Sequence, residues 1–285
     1  MTIDDLAALI RALALAALFQ AAGGALFMGY FGERLGLAAQ PIGRLVRAAA
    51  IAGFLLIAAH GCIETARLGG TYADAWEPDL LTLFWTTRGG MVHAVQMGAM
   101  AIVAVCAAGR SRVQRLLTAL GSFSAAAAFA GSGHTSIHAL RTVLAPMLIF
   151  HVTVGACWFG SLAPLLLVMR DETAQSAVVF NGFSRIAGLA VPLLGIAGLT
   201  TAVILVSLIP DWVRPYGLLL IAKTILFLAL LILASYNRWK YVPAMIAGSR
   251  TAAIALRRSI GWEMALIIAV LAATSVLTTF FSPQS

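Results

Sequence analysis

Five histidines are the side chains of this sequence best suited to hold a metal ion: His60, His93, His134, His138 and His151. Each stands four residues from another candidate ligand. His60 pairs this way with Glu64, His93 with Met97, His134 with His138, and Met147 with His151; Met100 extends the His93/Met97 stripe by another turn. Side chains four apart share one face of a helix. Imidazole suits copper, zinc, iron and nickel, and thioether favours Cu(I), so a mixed His/Met set points to copper over zinc or magnesium. Methionine is also an ordinary filler of apolar cores. Taken singly, each pair reads as packing before ligation; only the placement of all five histidines on one side of the membrane, set out below, brings ligation level with packing for the set. Cys62, Cys106 and Cys157 lie in apolar stretches with no CxxC spacing and no disulfide framework. Cys62 and Cys157 read as small fillers that would bind Cu(I) as thiolates. Hydrolase and kinase motifs, a P-loop and a Rossmann fingerprint are missing, so no catalytic activity is expected.

The elements that must position these residues are membrane helices. The 285 residues are 61% hydrophobic and only 11% charged, against about 25% charged in a soluble domain, and the mean hydropathy is +0.95. A soluble fold cannot bury so much apolar surface, whereas a bilayer is itself an apolar solvent. A helix needs roughly 20 apolar residues to cross it, and barrel strands would alternate over about 10. The fold class expected is an all-α polytopic bundle in one integral membrane domain, 1–285. Eight spans are expected, at 5–30, 43–68, 89–109, 113–131, 142–169, 183–209, 214–236 and 258–281, the fourth being the shortest and Ala-rich. Residues 67–90, with Asp74, Glu77, Pro78 and Asp79, read as a structured loop. Met1 to Asp5 is acidic before the first apolar run, so no cleavable signal peptide is expected. Trp76, Trp85, Trp212, Trp239 and Trp262 fall near span ends and read as interfacial anchors.

Thirteen of the nineteen Lys and Arg fall in alternate connections: Arg34, Arg44 and Arg47; Arg110, Arg112 and Arg115; Arg170 and Arg185; Arg238, Lys240, Arg250, Arg257 and Arg258. The other connections hold Arg67, Arg88, Arg141 and Arg214 beside Asp74, Glu77, Asp79 and Asp211. The positive-inside rule places the first set in the cytoplasm and both termini outside. The net charge of +8 is then a consequence of topology, and nucleic-acid binding is unnecessary. On this topology every histidine lies on the outer side or near mid-membrane, with His151 roughly 14 Å deep. Lys223 and Glu263 are the other intramembrane ionisable groups. Structural pairing would set Lys223 against Glu64 or the histidine cluster and Glu263 against a cytoplasmic-side Arg; the functional reading of both is a proton or ion relay coupled to transport.

A set of short motifs adds a resemblance. Gly133-His134, His151 and Trp158-Phe159-Gly160-Ser161-Leu162 are similar to a GH…H…WxGxL run. Phe183-Ser184-Arg185-Ile186-Ala187 is similar to FSRxA, and Lys223, Asn237-Arg238 and Pro243 to K…NR…P. Arg257-Arg258-Ser259 with Glu263 is similar to LRRSxxxE. In this order and spacing they make the chain, from about Gly133 to Pro283, resemble the bacterial copper-resistance protein D (CopD-like) inner-membrane family. The first half resembles it chiefly at Thr86-Thr87-Arg88-Gly89. The resemblance implies copper handling at the bacterial inner membrane, usually uptake, often beside a periplasmic copper-binding CopC-like protein. It carries over His134 and His151 as candidate ligands, and Arg185, Lys223, Asn237, Arg238, Arg257 and Glu263 as polar positions without an assigned role. His60, Cys62, Glu64, His93 and His138 lie outside the pattern. Three functions compete: a copper transporter or copper-binding membrane protein, with copper ions entering at His134 and His138 and passing His93, Met97, His60, Met147 and His151; a b-type haem redox protein using His151 with His60 or His93 as axial ligands; and a non-catalytic assembly partner of a copper enzyme.

Overall fold

The computed structural model describes residues 1–107, 109, 111–169, 174–206 and 215–281, with the backbone alone at 134, 135, 174, 175, 205 and 206. Among these residues there are helices and no strands. They are α1 (Ile3–Phe31), α2 (Ala39–Gly69), α3 (Pro78–Thr86), α4 (Arg88–Cys106), α5 (Arg112–Ala127), α6 (His134–Ile137), α7 (Arg141–Val168), α8 (Ala174–Val206), α9 (Pro215–Tyr236), α10 (Val242–Ile246) and α11 (Arg250–Phe280), with short 3-10 turns between some of them. The chain is an all-α polytopic bundle. Several helices outlast the hydrocarbon. The 31 residues of α2 make roughly 46 Å at 1.5 Å per residue, against a core of about 30 Å. Its extra turns carry Arg44 and Arg47, and Arg47 Nε donates to the Ala104 carbonyl at 3.1 Å. The same overhang explains why α8 and α11 begin several residues before the apolar stretches that announced them.

Seven helical stretches among the described residues are long and apolar enough to cross a membrane. The expected span at 113–131 is α5, with only 16 residues. A 3-10 turn, Ala128–Gly131, prolongs it. A Cβ on Gly121 would lie 3.1 Å from the Ala99 carbonyl, and one on Gly131 would lie 3.1 Å from a Val92 methyl. The α5 segment therefore runs antiparallel to α4 along nearly its whole length. The loop expected over 67–90 holds α3, which begins at Pro78, a residue suited to a first helical turn.

Arg67, at the end of α2, binds Asp4 of α1 at 2.7 Å and the Thr279 carbonyl of α11 at 3.4 Å. Tyr72 Oη donates to the Met1 carbonyl at 3.1 Å. Both chain ends thus lie at one end of the bundle, as an even number of crossings requires. The positive-inside expectation would set that end in the periplasm. In a background lacking Cys62, Cys106 and Cys157, single cysteines at Thr2 and Phe281 are expected to react with a membrane-impermeant maleimide from the periplasm, and one at Arg112 only after permeabilisation. Opposite accessibility at Thr2 and Phe281 would overturn the shared side.

The centre of the bundle is α1, half of whose most apolar stretch is buried, against 11% for the stretch at Pro215–Ile246. It packs on α2, α5, α7 and α11. At its crossing with α7, Gly23 and Gly24 face Gly160 backbone to backbone, and Gln20 Nε2 donates to the Gly160 carbonyl at 3.1 Å. Ser275 of α11 donates to the Ala8 carbonyl at 2.7 Å. Small residues allow such approach where lipid offers no hydrophobic drive between helices. Leu189, Leu199, Ile225 and Ile232 turn outward on α8 and α9, the surface that lipid covers.

Candidate functional site

The α2–α4 pair brings two of the five histidines together at the end of the bundle that holds the termini. Thr87 caps α4 by accepting from Gly90 N at 3.0 Å. The α3 helix folds back so that Phe84 packs against Gly61 and edge-on to the His93 ring. His60, 4% exposed, then meets His93 edge to edge, with rings 6° from parallel and centroids 5.1 Å apart. Its Nδ1 lies 2.8 Å from His93 Nε2, and His93 Nδ1 lies 2.8 Å from the Gly89 carbonyl.

These contacts fix the tautomers. A carbonyl only accepts, so His93 carries its proton on Nδ1 and presents a lone pair at Nε2. His60 Nδ1 must therefore be the donor between the rings, which leaves His60 Nε2 as a bare acceptor. That atom is buried without a hydrogen-bond partner. The nearest polar atom recorded for it is a carboxylate oxygen, Glu64 Oε1, at 3.5 Å. Two acceptors thus face each other, and an unpaired buried acceptor such as His60 Nε2 costs about 1–3 kcal/mol. Glu64 is held from behind by Arg67 NH1, at 2.9 and 3.1 Å from its two oxygens. Arg11 of α1 lies within electrostatic reach of both Glu64 and His60, so Asp4 and Glu64 face two guanidinium groups.

The remaining candidates stand apart. His138 Nδ1 accepts from Leu140 N at 3.0 Å and closes the turn into α7. The side chain of His134, whose backbone opens α6, lies outside the described residues. His151 Nδ1 sits 3.0 Å from the Leu194 carbonyl of α8, and Gly198 leaves space for its ring; its recorded contacts do not reach His60 or His93. Met97 is half-buried against the core and Met100 fully buried, with Met100 Sδ beside Gly53. Met147 is half-buried. Among the described residues no group of three or more His, Cys, Asp and Glu forms a ready-made metal cage.

The charged pairs differ from expectation in part. Glu64 takes Arg67, one turn away on its own helix, and forms no ion pair with Lys223; Lys223 lies within electrostatic reach of His151, one of the five histidines. Among the described residues Glu263 forms no ion pair with an Arg. Its Oε2 accepts from Trp158 Nε1 at 3.2 Å, and its Oε1 lies 2.6 Å from Asn237 Nδ2. Asn237 opens a single π turn, Asn237–Tyr241, and the next residue, Arg238, donates to the Ser184 carbonyl at 2.6 Å. Gly188 has no Cβ because the Arg238 guanidinium occupies that place. The local Glu64/Arg67 spacing was visible in the sequence; the Trp158–Glu263–Asn237 contact joins three distant helices and had no local signal.

Two family models match the chain: Copper resistance protein D-like, N-terminal domain, over residues 2–139, and Copper resistance protein D over residues 177–277. The chain belongs to the copper resistance protein D family. Copper resistance protein D of Pseudomonas syringae pv. tomato is 29% identical over 252 residues, covering 82% of this chain and 81% of that protein. Inner membrane protein YebZ of Escherichia coli (strain K12) is 24% identical over 211 residues, 71% of this chain and 72% of that protein. Copper transport protein CutJ of Bacillus subtilis (strain 168) is 25% identical over 234 residues, 76% of this chain but 42% of that protein, so the chain spans less than half of that relative's length. No solved structure matches. The chain is therefore a multi-pass protein of the bacterial inner membrane with a copper-related function. In this family member the N-terminal match covers His60, Glu64, His93 and His138, and the C-terminal match covers Ser184, Asn237, Arg238 and Glu263.

Proposed function

We propose that the protein binds copper ions at His60 and moves them across or into the membrane, in the direction of uptake. The observation that carries this reading is the buried His60 Nε2 lone pair facing Glu64 Oε1 at 3.5 Å. An ion about 2 Å from each donor spans that distance at an angle of roughly 120°, an ordinary bite for a transition metal. The other ring nitrogen of His60 is anchored on His93, which is anchored on Gly89, the outer hydrogen bonding that metal-bound imidazoles need. Imidazole with one carboxylate suits copper far better than magnesium or calcium. Two relatives, a copper transport protein and a copper resistance protein, agree with that cargo by name. Beyond this point His151 and Met147 on α7 offer nitrogen and sulfur donors deeper in the bundle. A periplasmic copper-binding CopC-like protein would deliver the ion at the end where α6 and the termini lie. The haem reading finds less support: His60 and His93 touch, and His151 turns to α8.

Metal analysis and an absorption spectrum of the purified protein test this. Wild type is expected to hold copper without a Soret band, and His60→Ala/His93→Ala to lose both bound copper and cellular copper uptake while keeping its elution profile. Unchanged copper content in the double variant would overturn the site, and a Soret band in wild type would hand the histidines to haem.

A further inference from the structure

Glu263 lies inside α11, 3% exposed, and neither of its hydrogen-bond partners carries a charge. Among the described residues no Lys, Arg or His nitrogen comes within 4.0 Å of its carboxyl group. A carboxylate buried in a membrane with only neutral donors is costly, and a proton removes the cost.

The contact with Asn237, at 2.6 Å, can serve either form of the carboxyl group. The oxygen and nitrogen of a side-chain amide have the same shape, and only their partners distinguish them. A half-turn of the amide brings Oδ1 against Glu263, where a protonated carboxyl donates to it. Asn237 Oδ1 is free to take that role, being buried without a hydrogen-bond partner. Asn237 thus serves both forms of Glu263: its N–H faces the carboxylate and its C=O faces the acid.

The surroundings allow exchange. Glu263 and Asn237 line a cavity of about 140 Å³ whose wall is mostly apolar but whose polar groups, among them Trp158, Ser184 and Arg238, leave room for water beside the carboxyl group. The groups facing Glu263 are few. Trp158 comes from α7, Ser184 from α8, and Asn237 with Arg238 from the π turn after α9. Arg238 is the other ionisable residue on the cavity wall, and its NH1 is turned to the Ser184 carbonyl. Arg257 and Arg258 of α11 are exposed, one to two turns nearer the end of the bundle away from the termini. Single π turns recur at functional sites, and this one places Asn237 and Arg238 side by side on the cavity.

We propose that Glu263 is a proton-binding site fed through this cavity, and that its protonation is coupled to copper movement. The step is a carboxylate plus a proton giving a carboxylic acid, with Asn237 turning to accept; no electrons move. The coupling rests on the copper-transport reading above, while the proton site does not.

The test uses the whole protein in lipid vesicles. Infrared spectra of wild type are expected to show a carboxylic-acid C=O band at neutral pH that is absent from Glu263→Gln and shifted in Asn237→Leu. Copper uptake into wild-type vesicles is expected to change the luminal pH. Glu263→Gln is expected to lose the pH change and the uptake while still binding copper at His60. If no such band is lost in Glu263→Gln across about pH 5–9, Glu263 is not a proton site. Unaltered uptake and pH change in that variant would remove the coupling. Wild-type vesicles that take up no copper would overturn the transport reading and leave the infrared result standing. Should Glu263→Gln not fold, a shifted band in Glu263→Asp supports the proton site and an unshifted one refutes it.

Discussion

His60→Ala is expected to abolish copper binding, and His93→Ala to weaken it about 10–100-fold at unchanged stoichiometry. The asymmetry follows from the tautomers. His60 Nε2 is the free lone pair beside Glu64, whereas His93 Nε2 is engaged with His60 Nδ1. His93 acts on copper through His60 by fixing which nitrogen is bare and how the ring is turned. Without it His60 can flip, and its Nδ1–H loses an acceptor in a buried position. Competition against a copper chelator separates the two variants. Equal, complete loss in both would mean that His93 also coordinates the ion, with the pair parting to admit it. Wild-type affinity in a folded His60→Ala would remove the site altogether.

Much of this arrangement was legible in the sequence, for reasons that show where legibility stops. Composition alone demanded membrane helices, because no soluble core could hide 61% hydrophobic residues. The i, i+4 spacing of His60 and Glu64 was visible because it lies within one helix. The partnership of His60 with His93 was not, because it depends on how α2 and α4 pack and on α3 pressing Phe84 against both. The same limit explains the charged residues. Matching Lys223 with Glu64 by sign overlooked Arg67, whose guanidinium needs only one turn of helix to reach Glu64 and then ties in Asp4 as well. Glu263 drew an expected arginine because a buried carboxylate seemed to require one. Trp158 and Asn237 answer its hydrogen-bonding needs without charge, over separations of 105 and 26 residues. Helices were legible where they were long and apolar, and α5, with 16 residues and a 3-10 turn at its end, is the segment whose length announced it least.

The largest effect on folding is expected at the α1–α7 crossing. A methyl group on Gly160 would lie 2.5 Å from the Gly24 nitrogen, and one on Gly23 would fall within the Ala156 carbonyl. The obstacles are backbone atoms, so no rotamer change relieves them, and the two helices must part. Overpacking of this kind costs about 1–3 kcal/mol and sometimes more, even though alanine is a better helix former than glycine by about 1 kcal/mol. Gly98 of α4 supplies the control, since a methyl there meets nothing within 4 Å. Gly160→Ala and Gly23→Ala are expected to lower the thermal midpoint in detergent, and Gly98→Ala to leave it level or raise it. The consequence reaches the carboxyl site, because α7 carries Trp158 and the crossing sets its height against α11. Displacing α7 by the width of a methyl group breaks the Trp158–Glu263 hydrogen bond, so Gly160→Ala is expected to shift the Glu263 infrared band while His60 still binds copper. Wild-type melting in Gly160→Ala would show that the helices cross farther apart in the folded protein than Gly23, Gly24 and Gly160 imply.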